Sequence, residues 1–114
     1  MILISALDTA RNSVAAHPDR PATIILHDSP DLRLVAFRLA PGQEVKPHRS
    51  TSTVALHVLS GDGLLSGEAD GGVREEPVAP GEVMVYEPNE LHGMRATDIE
   101  LLLLAVITPR PGSR

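Results

Sequence analysis

The sequence predicts an all-β barrel or sandwich, on three observations. Turn signals recur about every eight to ten residues: SPD at 29–31, APG at 40–42, SGDG at 60–63, ADGG at 69–72, APGE at 79–82 and EPNE at 87–90. Between them lie short runs rich in Val, Leu and Ile, the pattern of many short strands at even spacing. The run LLLLAVI at 101–107 has no alternation, as expected of a strand buried on both faces.

Taken in order, the first element is a helix over Ala6–Ala16. Ser5 followed three residues later by Asp8 reads as a capping box, with Asp in place of Glu. Leu7 and Val14 fall on one face. HPDRP at 17–21 ends the helix, because a residue before proline resists the α region. Strands are then expected at 22–28, 32–40, 44–48, 53–60, 63–68, 73–78, 82–86, 91–96 and 99–107. The last residues, PRPGSR, carry nothing apolar to bury and read as a frayed end. The organisation is one domain: an N-terminal segment with a short helix at 1–21, a barrel at 22–107 and a flexible tail at 108–114. No internal repeat interrupts it.

Composition narrows the function classes. The chain has 114 residues, 42% of them apolar, enough to fill one core. It has no cysteine, so disulfides and thiolate chemistry are excluded. MILISALDTAR lacks a basic start and does not read as a signal peptide. The 101–107 run is too short to span a bilayer. These features point to the cytoplasm and away from membranes. The net charge is −5, with acids and bases interspersed and no basic stripe, which argues against nucleic acid. Phe37 and Tyr86 are the only Phe, Trp or Tyr residues, so a pocket here is aliphatic and has little to stack on bases or sugars.

The chemistry concentrates in two segments, GQEVKPHRSTSTVALHVLSG from Gly42 to Gly61 and GEVMVYEPNELHGMRA from Gly81 to Ala96. On an unbroken strand His48, Ser50, Val54, Leu56 and Val58 share one face, and Ala55, His57 and Leu59 share the other. The segments resemble the two motifs of the cupins, small jelly-roll β-barrels. The first cupin motif reads G(x5)HxH(x3,4)E(x6)G. Gly42, His48 and Gly61 stand at its spacing, with Ser50 at the second His and Val54 at the Glu. The second reads G(x5)PxG(x2)H(x3)N. Gly81 and His92 stand at its spacing. Glu87 occupies the Pro position with Pro88 one place late, Asn89 the Gly position and Ala96 the final Asn. Asn is a workable exchange for Gly because it visits the left-handed region more readily than most residues. The likeness runs over about residues 22–107 and implies a cupin-type jelly-roll barrel with a short N-terminal helix.

In cupins the two His, the Glu and the later His bind one divalent metal. The resemblance therefore implies His48 and His92 as metal ligands in a site that lacks its other two members. Zinc and iron sites need three or four strong ligands. No cofactor is therefore expected, and a divalent metal at His48 and His92 is the alternative. The expected pocket lining is His48, Ser50, Val54, Leu56, His92 and Met94. His57 reaches it only if a bulge turns it inward; otherwise it faces solvent or a subunit interface. Glu87 and Glu90 are candidate stand-in carboxylates, with loop-surface charge as the favoured reading. Glu44 and Lys46 share parity with His48 and are read as a solvated edge pair. His17 and His27 are assigned to the surface. Tyr86 is read as core, with its hydroxyl bonded. The glycines at 61, 63, 71, 72 and 81 belong to turns.

Two function classes follow. One is a non-catalytic barrel that binds a small organic ligand. The other is a metal-dependent enzyme of dioxygenase or isomerase type, or a metal-free one with a histidine as general base. The family spans too many activities for the resemblance to choose. A sensor role would require a separate DNA-binding partner. A homodimer is expected, because Ala55, Leu59 and the 101–107 run need cover.

Overall fold

The computed structural model describes residues 1–112. The chain forms one helix, α1 (Ala6–Arg11), and nine strands. These are β1 (Ala22–Asp28), β2 (Arg33–Leu39), β3 (Glu44–His48), β4 (Thr53–Ser60), β5 (Gly63–Ala69), β6 (Gly72–Val78), β7 (Val83–Tyr86), β8 (His92–Ala96) and β9 (Leu101–Thr108). Two antiparallel sheets face each other as a jelly roll. One has the order β1-β2-β9-β4-β7 and the other β3-β8-β5-β6. No helix among the described residues is long and apolar enough to cross a membrane.

The core lies between the sheets. Val35 and Leu39 of β2, Val54, Leu56 and Val58 of β4, and Leu101, Leu103 and Ala105 of β9 meet Leu65, Met94 and Ala96 of the facing sheet. Full burial of Leu39, Leu56, Leu65, Leu101 and Leu103 contributes about 1.5–3 kcal/mol each. The expected alternation on β4 is present, with Ala55, His57 and Leu59 on the outer face and only half-buried.

β9 shows why its sequence lacks alternation. It is hydrogen-bonded between β2 and β4, so its inner residues enter the core while its outer face lies mid-sheet. The helix covers part of that outer face: Ala10 packs on Ala36 and Leu102, with Leu7, Leu26 and Leu59 around them. Burial on both sides is complete at Leu102 but not at Leu104 and Val106, which stay half-buried.

The helix is shorter than the sequence suggests. It ends at Arg11 with Asn12 as C-cap. Ser13 folds its hydroxyl back onto the Ala10 carbonyl at 2.6 Å, an alternative to continuing the helix. Val14 therefore never joins the face of Leu7 and is exposed. The Ser5 side chain makes no capping bond; instead Thr9 Oγ1 donates to the Ser5 carbonyl. The tail also departs from expectation. β9 continues through Thr108, the Pro109 carbonyl accepts from Ser52 Oγ at 2.6 Å, and Arg110 N donates to the Pro30 carbonyl at 3.1 Å. These backbone anchors, together with the Arg110–Asp28 ion pair at 3.7 Å, tie down the segment. Residues 113–114 lie outside the described part.

The turns close as the Gly-rich signals require. At Gly61, φ is +79° and a Cβ would sit 1.9 Å from the Glu100 carbonyl oxygen. Gly61→Ala is therefore expected to destabilise the fold by about 2–4 kcal/mol, through left-handed strain plus displacement of the β8–β9 loop. Urea unfolding followed by circular dichroism measures it; a loss under about 0.5 kcal/mol would contradict the close approach.

Candidate functional site: a paired-histidine pocket

His48 is the last residue of β3 and His92 the first of β8, and the two are direct partners in the antiparallel ladder. A bulge makes this pairing. Between Val45↔Met94 and His48↔His92 the β3 strand spends three residues against two. The extra residue reverses the parity of β3, so Val45 shares the inward side with His48, and Glu44 and Lys46 stay exposed. The sequence reading that aligned Glu44 and Lys46 with His48 is corrected by this bulge. The face drawn from His48 into Val58 is interrupted by a loop rather than reversed, and His48, Ser50, Val54 and Leu56 all point to one cavity. Residues 49–52 form a loop that carries the chain from one sheet to the other. Gly93 permits the bulge, since a Cβ there would meet the Val45 carbonyl oxygen at 2.9 Å and Pro47 N at 3.0 Å.

The two rings lie 4.3 Å apart between centroids, tilted by 59°. Each Nδ1 contacts the backbone carbonyl two residues earlier, Lys46 O at 3.0 Å for His48 and Glu90 O at 3.1 Å for His92. A carbonyl only accepts, so Nδ1 carries the proton in both rings. In the neutral ring Nε2 is then an acceptor, and neither Nε2 has a protein hydrogen-bond partner among the described residues. His92 is buried, whereas His48 stands exposed at the rim. Burial pushes the His92 pKa down, the nearby His48 charge adds to this, and the Glu90 carbonyl opposes it.

The Tyr86 ring also contacts His92, with centroids 5.2 Å apart and planes tilted by 40°. Its hydroxyl donates to the Ser66 carbonyl at 2.7 Å, and burial pushes its pKa up to about 12. It therefore packs as a neutral phenol, not as an acid.

Below the rings a cavity of about 260 Å³ opens between the sheets. His48, Ser50, Val54, Leu56, His92 and Met94 line it. Phe37, Val45, Ala105, Ile107 and Pro111 complete the lining. Sequence reasoning missed Ala105 and Ile107, because the 101–107 run has no alternation to mark an inner face, and nothing local signalled Pro111. A larger cleft of about 390 Å³ lies along β6 and β7, ringed by Glu68, Arg74, Glu76, Glu82 and Glu90. Its polar groups already bond within the protein: Arg74 to Glu76, Glu82 to Ala79 N and Glu90 to Glu87 N. The smaller cavity is the better site, because apolar walls there surround a few convergent and unspent polar atoms.

A staple that sequence reasoning missed holds the rim. Glu68 accepts from Leu91 N at 2.9 Å and pairs with Arg49, which also donates to the Asn89 carbonyl at 2.7 Å. Asn89 N in turn donates to the Ser50 carbonyl at 2.7 Å. Asn89 sits at φ +68°, the left-handed conformation expected at its position. These bonds join the loop after His48 to the turn before His92.

The donor set does not fit a metal centre. No carboxylate lines the cavity, and no cluster of three or more His, Cys, Asp or Glu among the described residues could hold an ion. His57 faces outward on β4, Glu90 lines the other cleft and Glu87 is exposed, so none of them supplies the missing ligand.

No protein-family model matches the chain, and no curated protein does. Solved structures do. An RmlC-like cupin from Desulfovibrio desulfuricans is 28% identical, with 96% of this chain and 97% of that one covered and a TM-score of 0.77. The chain belongs to the cupin superfamily. The protein TT1209 from Thermus thermophilus is similar to this cupin at 28% identity, over 89% of this chain and 94% of that one, with a TM-score of 0.76. A Klebsiella pneumoniae protein with a double-stranded β-helix domain reaches a TM-score of 0.79 at 19% identity, over 100% and 95% of the two chains. The DMSP lyase DddQ from Ruegeria pomeroyi shares the fold at 19% identity, with a TM-score of 0.70, 88% of this chain and 53% of that one.

His92 in this cupin is expected to titrate below the ordinary imidazole value of 6.5. A depressed folded pKa means the unfolded chain takes up the proton first. Stability therefore falls as pH drops through that ordinary value towards the folded one. An NMR titration should show His92 inflecting low with its Nδ1-protonated tautomer, and His92→Gln should remove this part of the pH dependence. An inflection above the ordinary value would contradict the burial argument.

Proposed function

We propose that this cupin is a binding protein for a small, largely apolar organic molecule, held between the barrel walls and the His48–His92 pair without a complete metal site. The observation that carries this reading is the composition of the pocket: two imidazoles and one hydroxyl above apolar walls, with no carboxylate among the described lining residues. A divalent charge in such a pocket lacks anionic partners and is costly. The lack of cysteine fits a cytoplasmic setting.

A metal-dependent enzyme using His48 and His92 is the second reading, favoured by the fold shared with a DMSP lyase. Elemental analysis of the purified protein separates the two. The expected result is well under one transition-metal ion per chain, rising to about one in Ser50→His with Val54→Glu, which completes a three-His, one-Glu set. One ion per chain in the unmodified protein, lost in His48→Ala, would replace the binding reading with the enzyme.

The same reading includes a homodimer. The argument from Leu59 weakens, because α1 packs beside it. The rest of the outer face supports it. Val85, Ala55, Val106 and Leu34 are successive partners across β7, β4, β9 and β2. Val83 and Val85 are 55% and 60% exposed. A second copy covering this row is the commonest symmetric solution. Light scattering at micromolar concentration is expected to give the dimer mass, and Val85→Glu to give the monomer.

A further inference from the structure

We infer that the ligand carries a neutral primary carboxamide on a short aliphatic body; this rests on reading the His48–His92 cavity as a binding site. The rim supplies a defined set of unspent groups. Both Nδ1 atoms are committed to the Lys46 and Glu90 carbonyls, so the rim offers two Nε2 acceptors. Ser50 Oγ accepts from Ser52 N at 3.0 Å, so its own proton remains to be donated. Two acceptors and one donor therefore belong to residues that line the same cavity. A primary carboxamide presents the complement, two N–H donors on one nitrogen and one carbonyl acceptor. With the ring centroids 4.3 Å apart, a single NH2 group reaches both imidazoles.

Other head groups fit less well. A carboxylate would set its oxygens against two nitrogen lone pairs. No Lys or Arg among the described residues lines the cavity to offset the charge, and the neighbouring Arg49 is held by Glu68 and the Asn89 carbonyl. An ammonium finds no carboxylate in the lining and would be desolvated unpaired. An alcohol brings one hydrogen to two acceptors. Below the head, Phe37, Val54, Leu56, Met94 and Ile107 accept only an apolar body. The volume of about 260 Å³ lies at the low end for ligand sites, which limits that body to a short chain.

Isothermal titration calorimetry of the full chain at about pH 8 tests this, with primary amides of roughly four to eight carbons as probes. At one chain length, hexanamide is compared with hexanoate, 1-hexanol and N,N-dimethylhexanamide. Hexanamide is expected to bind about tenfold or more tightly than each of the others, the cost of roughly one to two lost hydrogen bonds. Ser50→Ala should weaken hexanamide several-fold. In NMR spectra the His48 and His92 ring signals should shift with hexanamide. Equal or tighter binding of hexanoate or hexanol overturns the carboxamide assignment and leaves the pocket reading standing. Equal binding of the N,N-dimethyl amide does the same. If no member of the series binds, or binding leaves both rings unshifted, the pocket reading fails as well.

Discussion

Everything in this barrel is arranged around a strand that must be covered on both faces. β9 lies between β2 and β4, and its residues Leu101, Leu102 and Leu103 are all fully buried. Its inner side chains fill the space between the sheets and, further along, become the pocket wall at Ala105 and Ile107. Its outer side chains need something other than the second sheet. The chain supplies a short helix that covers Leu102 and leaves Val106 half-buried. The division between a finished core, a covered patch and an open patch thus follows from one strand's position in the sheet.

The site depends on a second constraint, the bulge in β3. Without the extra residue at Lys46–Pro47, the side chain opposite His92 would belong to a different parity and the imidazoles would not meet. Gly93 is the other half of this device, because any side chain there collides with the bulged backbone. Once paired, the rings are oriented by main-chain carbonyls two residues back in each case. The Arg49–Glu68–Asn89 contacts then hold the two segments that carry them. Three kinds of local geometry place two nitrogens side by side, and none of them is a property of the histidines.

These differences explain what could be read from the sequence. Strand positions were legible to within one or two residues, because Gly and Pro chemistry at the turns acts locally. The inward face of β4 was legible because it obeys a period of two. The cavity-lining positions 48, 50, 54 and 92 stand at motif spacing, and Leu56 shares strand parity with Val54. The bulge was missed because it is a register relation between strands, and its one local mark, Pro47 within the β3 run, fits an edge strand equally well. The end of the helix was missed because Ser13 bonds the Ala10 carbonyl rather than solvent. The rim staple and the tail anchors were missed because they are long-range contacts, from residue 49 to 68 and from 52 to 109.

The two departures from the cupin motif at Ser50 and Val54 are physically coupled. Val54 is 3% exposed and lies in the ladder between Tyr86 and Ile107. A glutamate there with no cation beside it would be a desolvated charge, held only by becoming protonated. A cation there with no glutamate would face the same cost with the opposite sign. Each member of a metal–carboxylate pair is thus tolerable only in the presence of the other. An intermediate site with one of them is less stable than either extreme. The histidines are under no such constraint. Neutral, with Nδ1 bonded to the main chain, they sit above an apolar cavity at little cost, and their free Nε2 atoms remain available to any molecule that brings hydrogens to them. On the binding reading proposed above, the pocket without the metal set is a different site from the metal centre of the motif, and its selectivity is for donors.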